Sequence, residues 1–284
     1  MTSDNARFEE AENKPTTDFT EADRRLGDDP LGAGEHRRSL VVVPTYNEAD
    51  NIERLIERIF QLNLAALEIL VVDDNSPDGT AALVERRQAR EARLHLIRRP
   101  GKRGLGTAYV AGFEFALARG YDHVFEMDAD LSHNPDDLPR FLEKITKYDL
   151  VIGSRYATGV NVINWPLSRL LLSLGANWYT RVITGLPIRD CTSGFKCFRR
   201  EVLERIQLDT LQSDGYSFQI ELNFHAWRQG FRLVELPIIF VDRERGISKM
   251  SHKVMMEAAF MVWRLRFSDL LRRLLGRAHP TRSS

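Results

Sequence analysis

Cysteine is nearly missing from this chain, with two in 284 residues, Cys191 and Cys197. They can pair only across a short loop and lack the paired spacing of a zinc site, so they read as reduced, packed thiols of a cytosolic protein. Net charge is missing too. Forty basic residues offset forty acidic ones, which removes the global field of a nucleic-acid binder and makes any anion site local. The chain does not open on a basic start followed by an apolar run, so a signal peptide and export are not expected. No uncharged stretch reaches the roughly 18 residues of a spanning helix. The most apolar region, Val160 to Ile188, is cut by Arg169 and Arg181. A membrane would be met from the side.

Two common chemistries are also lacking. No serine or cysteine nucleophile has a histidine partner in pattern, and no phosphate-binding Walker loop occurs. Gly101-Lys102-Arg103-Gly104-Leu105-Gly106 fails the dinucleotide fingerprint, because Tyr109 stands where the third glycine would fall. It reads as a helix start whose glycines permit close packing.

What is present has globular composition, 43% hydrophobic and 28% charged. Residues 1–38 carry ten acidic and six basic side chains and only Phe8 and Phe19 as aromatics. Too little apolar surface is available there to offset the entropy of ordering, and a disordered tail is expected. From Ser39 onward, continuous apolar runs (Leu40–Val43, Glu68–Val72, Arg93–Ile97, His123–Met127 and Leu150–Ile152) alternate with helical spacing such as Ile52, Leu55, Ile56 and Ile59. That alternation predicts an α/β fold with a doubly wound, mostly parallel, Rossmann-like sheet and ligands at the carboxyl ends of its strands. Beyond Ile152 the rhythm breaks into a Gly/Asn/Trp/Pro loop, a Leu-rich helix near Pro166–Ile183 and a strand pair within Arg232–Val241. Phe260, Trp263, Phe267, Leu270, Leu271 and Leu274 then share one helical face, with Arg264, Arg266, Arg272 and Arg273 off it. Such an amphipathic helix, within residues 251–284, suits a membrane interface or packing on its own domain.

The chemistry clusters at strand ends. Glu48 follows the first run and Asp74 the second, beside apolar strands that gain nothing from charge, whereas Asp78, Gly79 and Thr80 suit a turn and helix cap. Carboxylates there can accept from the N–H and O–H groups of a nucleotide. Asp128 and Asp130 follow the fourth run at i and i+2. In an extended segment they point to one side, where magnesium or manganese would relieve their repulsion and hold a diphosphate. Arg155, Arg169, Arg243 and Lys249 sit in glycine- or aromatic-rich loops, where several cations converging would grip phosphates. His133 suggests helix capping rather than a base, with Asn134 the better cap.

In order along the chain stand Val-Pro-Thr-Tyr-Asn-Glu, Val-Val-Asp-Asp-Asn-Ser-Pro-Asp-Gly-Thr, Met-Asp-Ala-Asp-Leu-Ser-His, Gly-Ser-Arg-Tyr, Asp-Cys-Thr-Ser-Gly-Phe-Lys and Asp-Arg-Glu-Arg-Gly-Ile-Ser-Lys. Together they resemble the family 2 glycosyltransferases, and among them the dolichyl- and polyprenyl-phosphate mannose synthases, from about Ser39 to Met250. The resemblance implies a GT-A type catalytic domain over 39–250 and GDP-mannose as donor, with Pro44, Tyr46, Glu48, Val72 and Asp74 around the nucleoside. It implies that Asp128, Ala129 and Asp130 handle ribose, diphosphate and metal. Ser132 stands where some relatives place a metal-binding Gln, and its shorter side chain leaves room for a water. Arg155, Lys196, Arg243 and Lys249 would contact donor phosphates or sugar, with Arg155 and Arg169 shared with the lipid phosphate. Asp130, Arg155 and Arg169 are thus the expected catalytic residues. A polyprenyl phosphate acceptor, already anionic, needs no general base, and direct displacement would invert the anomeric carbon. Where some relatives end in transmembrane hairpins this chain has one amphipathic stretch, so the expectation is a soluble or peripheral protein on the cytoplasmic face of a membrane, with room for a membrane-protein partner. UDP-glucose as donor, a hydroxyl acceptor served by a base, and a nucleotide-sugar binding module without turnover are the competing readings.

Overall fold

A computed structural model of the chain describes residues 37–211, 213, 215–241 and 252–274, apart from the side chains of 252–258 and 272–274. The expected tail (residues 1–36), Arg243 and Lys249 lie outside the described residues. Nine strands and eight α-helices are described: β1 (Ser39–Thr45), α1 (Ile52–Gln61), β2 (Leu67–Asp73), α2 (Thr80–Gln88), β3 (Leu94–Arg98), α3 (Leu105–Ala118), β4 (His123–Glu126), α4 (Leu138–Ile145), β5 (Leu150–Ser154), β6 (Val162–Ile163), α5 (Leu167–Thr184), β7 (Lys196–Arg199), α6 (Arg200–Arg205), α7 (Gly215–Arg228), β8 (Leu233–Pro237), β9 (Phe240–Val241) and α8 (His252–Leu274).

Seven strands form one sheet in the order β3-β2-β1-β4-β7-β5-β8, and β6 pairs with β9 in a second, two-stranded sheet. Only β7 runs antiparallel within the main sheet, bridging β4 and β5. Apolar residues on both faces explain why each run is continuous. In β1, Leu40 and Val42 join the core beneath α3, α6, α7 and α8, while Val41 and Val43 join the opposite core with α1, α2 and α4. Period-2 alternation thus sends successive side chains into two buried layers. Helix α3 lies close on the sheet because Gly112 has no side chain, and a Cβ there would stand 2.3 Å from Val42 Cγ1.

Three sequence readings change. The stretch Arg232–Val241 is two strands, but they do not pair with each other: β8 extends the main sheet beside β5, and β9 joins β6. Strand β7 is not visible as an apolar run, because its four residues, Lys-Cys-Phe-Arg, start and end on charge. Arg38, expected in the tail, anchors the first strand. Its amide donates to Asp122 Oδ2 at 2.8 Å, its guanidinium to Glu68 at 2.8 Å, and it covers the Tyr121 ring. Helix α8 packs on α5 and α7 through Met261, Val262 and Leu265.

Candidate functional site

The loops that leave β1, β2 and β4 lie together because those strands are parallel neighbours. Pro44 and Val72 are register partners at the ends of β1 and β2, with Val72 fully buried. Tyr46 follows, half exposed, with Lys102 Nζ 4.3 Å above its ring. The two aspartates after β2 divide their work. Asp73 faces inward and accepts from Thr45 Oγ1, the Ser76 amide and Ser76 Oγ, so it builds the turn. Asp74 faces the β3–α3 loop and accepts from Arg99 Nε at 2.5 Å. Arg99 is fixed in turn by Thr107 Oγ1 at 2.7 Å.

Glu48 is held at both ends: its amide donates to Thr80 Oγ1 and its carboxylate accepts from Asn51 Nδ2, each at 3.0 Å. Asp78, one residue before the N-cap Gly79 of α2, accepts from the Thr80 amide and also ties down the Ala49 amide, each at 3.0 Å. Burial pushes the Asp78 carboxyl upward, but the hydrogen bond from the Thr80 hydroxyl (2.6 Å), with those from the Ala49 and Thr80 amides, outweighs it and holds the group below the usual carboxylate range.

Beyond β4 the chain turns. Strand β4 ends at Glu126, the Met127 amide still donates to the Val42 carbonyl of β1 at 3.2 Å, and the chain turns at Ala129 and Asp130. Leu131 in this turn has φ of 63°, the left-handed region, and Ser132 donates through its amide (3.0 Å) and hydroxyl (2.6 Å) to Asp130 Oδ1. The Asp128 amide donates to His133 Nδ1 at 3.1 Å, and Tyr109 Oη donates to Asp128 Oδ1 at 3.4 Å. Burial, then the Asp128 charge, push the Tyr109 phenol well above its ordinary value, keeping it a donor. Ala129 is buried between the two carboxylates. Asn134, not His133, caps the following 3-10 turn, accepting from the Asp136 amide at 3.2 Å.

Beneath this turn lies a buried polar group. Lys196 and Glu126 are both fully buried, with Lys196 Nζ 3.8 Å from Glu126 Oε2 and donating to the Gln219 backbone oxygen at 3.1 Å and to its side-chain oxygen. Burial drives Glu126 upward and Lys196 downward from their ordinary values, and each pulls the other part of the way back. Lys196 therefore sits behind the carboxylate turn rather than on an open surface. Gly194 has no side chain on the near side: a Cβ there would meet Gln219 Nε2 at 3.7 Å, His133 Cε1 at 3.8 Å and Asp128 Oδ1 at 4.0 Å.

On the far side of Phe240 lie the cations. Arg155, 6% exposed, grips Asp190 with Nε to Oδ2 at 2.7 Å and Nη2 to Oδ1 at 2.6 Å, and its amide also donates to Oδ2 at 3.0 Å. Burial alone would lower its proton affinity, but the Asp190 charge and hydrogen bonds more than offset this, and the net shift is upward. Arg169 stands in the first turn of α5 with its guanidinium 4.1 Å from the Trp165 ring, and Arg155 lies 5.4 Å from the same ring. Both arginines open onto a cavity of about 450 Å³ that is otherwise lined mainly by apolar atoms of α5, α7 and α8, Leu171, Leu172, Ile220 and Val262 among them. Among the described residues, no aspartate, glutamate or histidine lines it. A chain of rings joins the two halves: His133 lies edge-on to Phe240 at 5.7 Å, and Phe240 lies 5.6 Å from Trp165 and 5.6 Å from the Arg155 guanidinium.

Asp190, Arg99, Tyr109 and Gln219 were not picked out from the sequence. Asp190 had a signal, since it opens the quoted Asp-Cys-Thr-Ser-Gly-Phe-Lys motif; the others carry none without the fold. Among the described residues there is no group of three or more His, Cys, Asp or Glu able to enclose a metal ion. A pair of carboxylates nonetheless fits magnesium or manganese, hard ions that take one or two carboxylates and fill their remaining places with phosphate oxygens and water. Asp128 and Asp130 would hold the ion. Ser132 in this arrangement supports Asp130 through its hydroxyl.

The doubly wound, mostly parallel sheet, with two aspartates following its fourth strand, has the architecture of the GT-A glycosyltransferases. The chain belongs to glycosyl transferase family 2, whose model matches residues 40–207. It is 47% identical to polyprenol monophosphomannose synthase of Mycolicibacterium smegmatis over 250 residues, covering 87% of this chain and 94% of that protein. It is 44% identical to undecaprenyl-phosphate mannosyltransferase of Micrococcus luteus over 227 residues, covering 80% of this chain and 93% of that protein. Among solved structures, glucosyl-3-phosphoglycerate synthase of Mycobacterium tuberculosis with Mn2+, UDP-glucose and phosphoglyceric acid shares the fold at TM-score 0.57 and 18% identity, over 81% of this chain and 80% of that one. A mannosyltransferase of Pyrobaculum calidifontis with GDP-mannose and Mn2+ does so at TM-score 0.50 and 20% identity, over 84% and 75%.

Proposed function

We propose that this enzyme transfers mannose from GDP-mannose to a polyprenyl phosphate, giving β-mannosyl phosphoryl polyprenol with inversion. The carrying observation is the cavity in which Arg155 and Arg169 face a space lined mainly by apolar atoms, a shape that fits an amphiphile with a phosphate head and a hydrocarbon tail. The relatives' names support mannose and the polyprenyl phosphate, and the structure at TM-score 0.50 adds a GDP-mannose complex on the same fold.

In this reading Pro44, Tyr46, Glu48, Val72 and Asp74 surround the nucleoside, and Asp128, Ala129 and Asp130 face ribose and diphosphate. A divalent ion, magnesium or manganese, neutralises charge on the departing diphosphate when bound. Lys196, buried against Glu126, supports the turn from behind, and Arg243 and Lys249 are the further cations the sequence offers to the donor phosphates. Arg155 and Arg169 orient the acceptor phosphate for in-line attack, so catalysis is chiefly alignment and charge stabilisation. A hydroxyl acceptor would need a base, and among the described residues the cavity wall offers no carboxylate or imidazole.

No helix among the described residues is long and apolar enough to cross a membrane. We place the enzyme peripherally on the cytoplasmic face. In support, α5 exposes Leu167 (69%) and Trp178 (65%), and the adjacent α8 exposes Phe260 (74%) and Phe267 (54%) beside the cavity wall. The decisive experiment incubates the purified chain with labelled GDP-mannose, Mg2+ or Mn2+ and a short polyprenyl phosphate, then extracts the lipid. Label should enter the lipid, and Asp130→Ala should abolish this. Preference for UDP-glucose, or an unimpaired Asp130→Ala, would refute the assignment.

A further inference from the structure

The turn that carries Asp128 and Asp130 is not held by its own backbone pairing. It begins where β4 stops, it contains a leucine in the left-handed region, and only surrounding groups can hold such a turn in one shape. Ser132 fixes its second carboxylate, as described. Its first half is fixed by the Asp128 amide, which donates to His133 Nδ1 at 3.1 Å. A backbone amide is always the donor, so Nδ1 is the bare nitrogen of this imidazole and Nε2 carries the proton. The ring cannot swing away. It is 2% exposed, stacks on Phe195 at 4.9 Å between centroids, and meets Phe240 edge-on.

We propose that His133 is a positioning residue: through Nδ1 it holds the Asp128 amide, and with it the carboxylate pair, in the geometry that takes a divalent ion together with the donor diphosphate. This rests on the metal-dependent transferase reading above. It also gives the residue a role that neither capping nor proton transfer covers. Because the ring touches Phe240, which in turn touches Trp165 and Arg155, the same side chain sets the donor-side turn against the wall of the acceptor cavity.

Two substitutions separate the nitrogen from the ring. Asparagine places its Oδ1 at the same bond count from Cα as Nδ1, keeping an acceptor but losing the aromatic stack. Phenylalanine keeps the stack and loses the acceptor. The test measures hydrogen exchange of the Asp128 amide in the ligand-free chain, and binding of Mn2+ with GDP by the loss of free-Mn2+ resonance. Thermal melts are run alongside. His133→Asn should retain amide protection and bind Mn2+ with GDP within about twofold of the unmodified chain. His133→Phe should melt close to the unmodified chain, lose protection at Asp128 and bind about tenfold more weakly, the worth of one hydrogen bond. Retained protection and binding in His133→Phe, or losses in His133→Asn as large as those in His133→Phe, would overturn the proposal. Failure of the unmodified chain to bind Mn2+ with GDP would instead refute the donor-site reading, while the exchange data still decide whether His133 holds the turn.

Discussion

Replacing Asp190 with leucine isolates what the buried Arg155 pair contributes. Asp190 is fully buried and accepts three hydrogen bonds from Arg155, two from the guanidinium and one from the amide. Asp190→Leu leaves the 6% exposed guanidinium without its counter-charge, a change expected to cost about 3–5 kcal/mol. The double variant Arg155→Met/Asp190→Leu removes the stranded charge as well. Its remaining deficit is the residue 155 amide, which has lost its acceptor, together with the half-buried Thr192 hydroxyl, which loses Arg155 and Asp190 as partners, and this costs about 1–3 kcal/mol. The double variant is therefore more stable than the single one, by about 2 kcal/mol. Activity does not follow stability. Both variants lack an oriented guanidinium for the acceptor phosphate, so kcat/KM should fall in each by on the order of a hundredfold. Urea unfolding at fixed pH gives the stabilities, and label recovered in extracted lipid gives the rates. The reasoning is refuted if the double variant is no more stable than Asp190→Leu, or if regained stability brings back the rate.

Burial, then the nearby Arg37 charge, lower His123 to about 4 from 6.5, so the folded chain binds fewer protons there than the unfolded one. Its contribution to stability is complete above pH 6.5 and is lost as pH falls towards 4, by about 3 kcal/mol at most; urea midpoints between pH 7 and 4.5 should show this slope, and His123→Gln should flatten it. Trp263→Ser/Phe267→Ser removes two exposed aromatics of α8. Co-sedimentation with anionic lipid vesicles should drop several-fold, while activity on a short, water-soluble polyprenyl phosphate stays within about twofold; unchanged sedimentation would show that α8 does not carry the contact.

How much of this was legible beforehand follows from what each residue depends on. The parallel core strands announce themselves because both faces are buried, so β1 reads as unbroken hydrophobicity and the winding follows. Strand β7 does not, because the polar Lys196 that starts it is buried for its charge, not its apolarity. Among site residues, Asp128 and Asp130 stood out through strand-end placement, and Asp74 through its apolar surroundings. The geometry of the carboxylate pair was less accessible. An i, i+2 spacing suggests extended backbone, whereas the positive φ at Leu131 shows a turn held by Ser132 and His133. Arg99 and Tyr109 reach Asp74 and Asp128 only through the fold, from β3–α3 and α3. Contacts of that kind leave no mark in local sequence.

An acceptor phosphate that needs no general base carries a kinetic consequence of its own. A phosphate monoester gains its second charge with a pKa near about 6. If the acceptor phosphate is itself the nucleophile, the acidic limb of kcat/KM must follow that ionisation of the free lipid, not a group of the protein. Once bound, the phosphate faces Arg155 and Arg169, whose charges favour the dianion, so the limb of kcat should lie at lower pH than the limb of kcat/KM. Arg169→Gln removes one of those two charges without touching the free lipid. It should move the kcat limb upward and leave the kcat/KM limb in place. A limb in kcat/KM that shifts with this substitution would mean that a protein group, and not the substrate, supplies the ionisation.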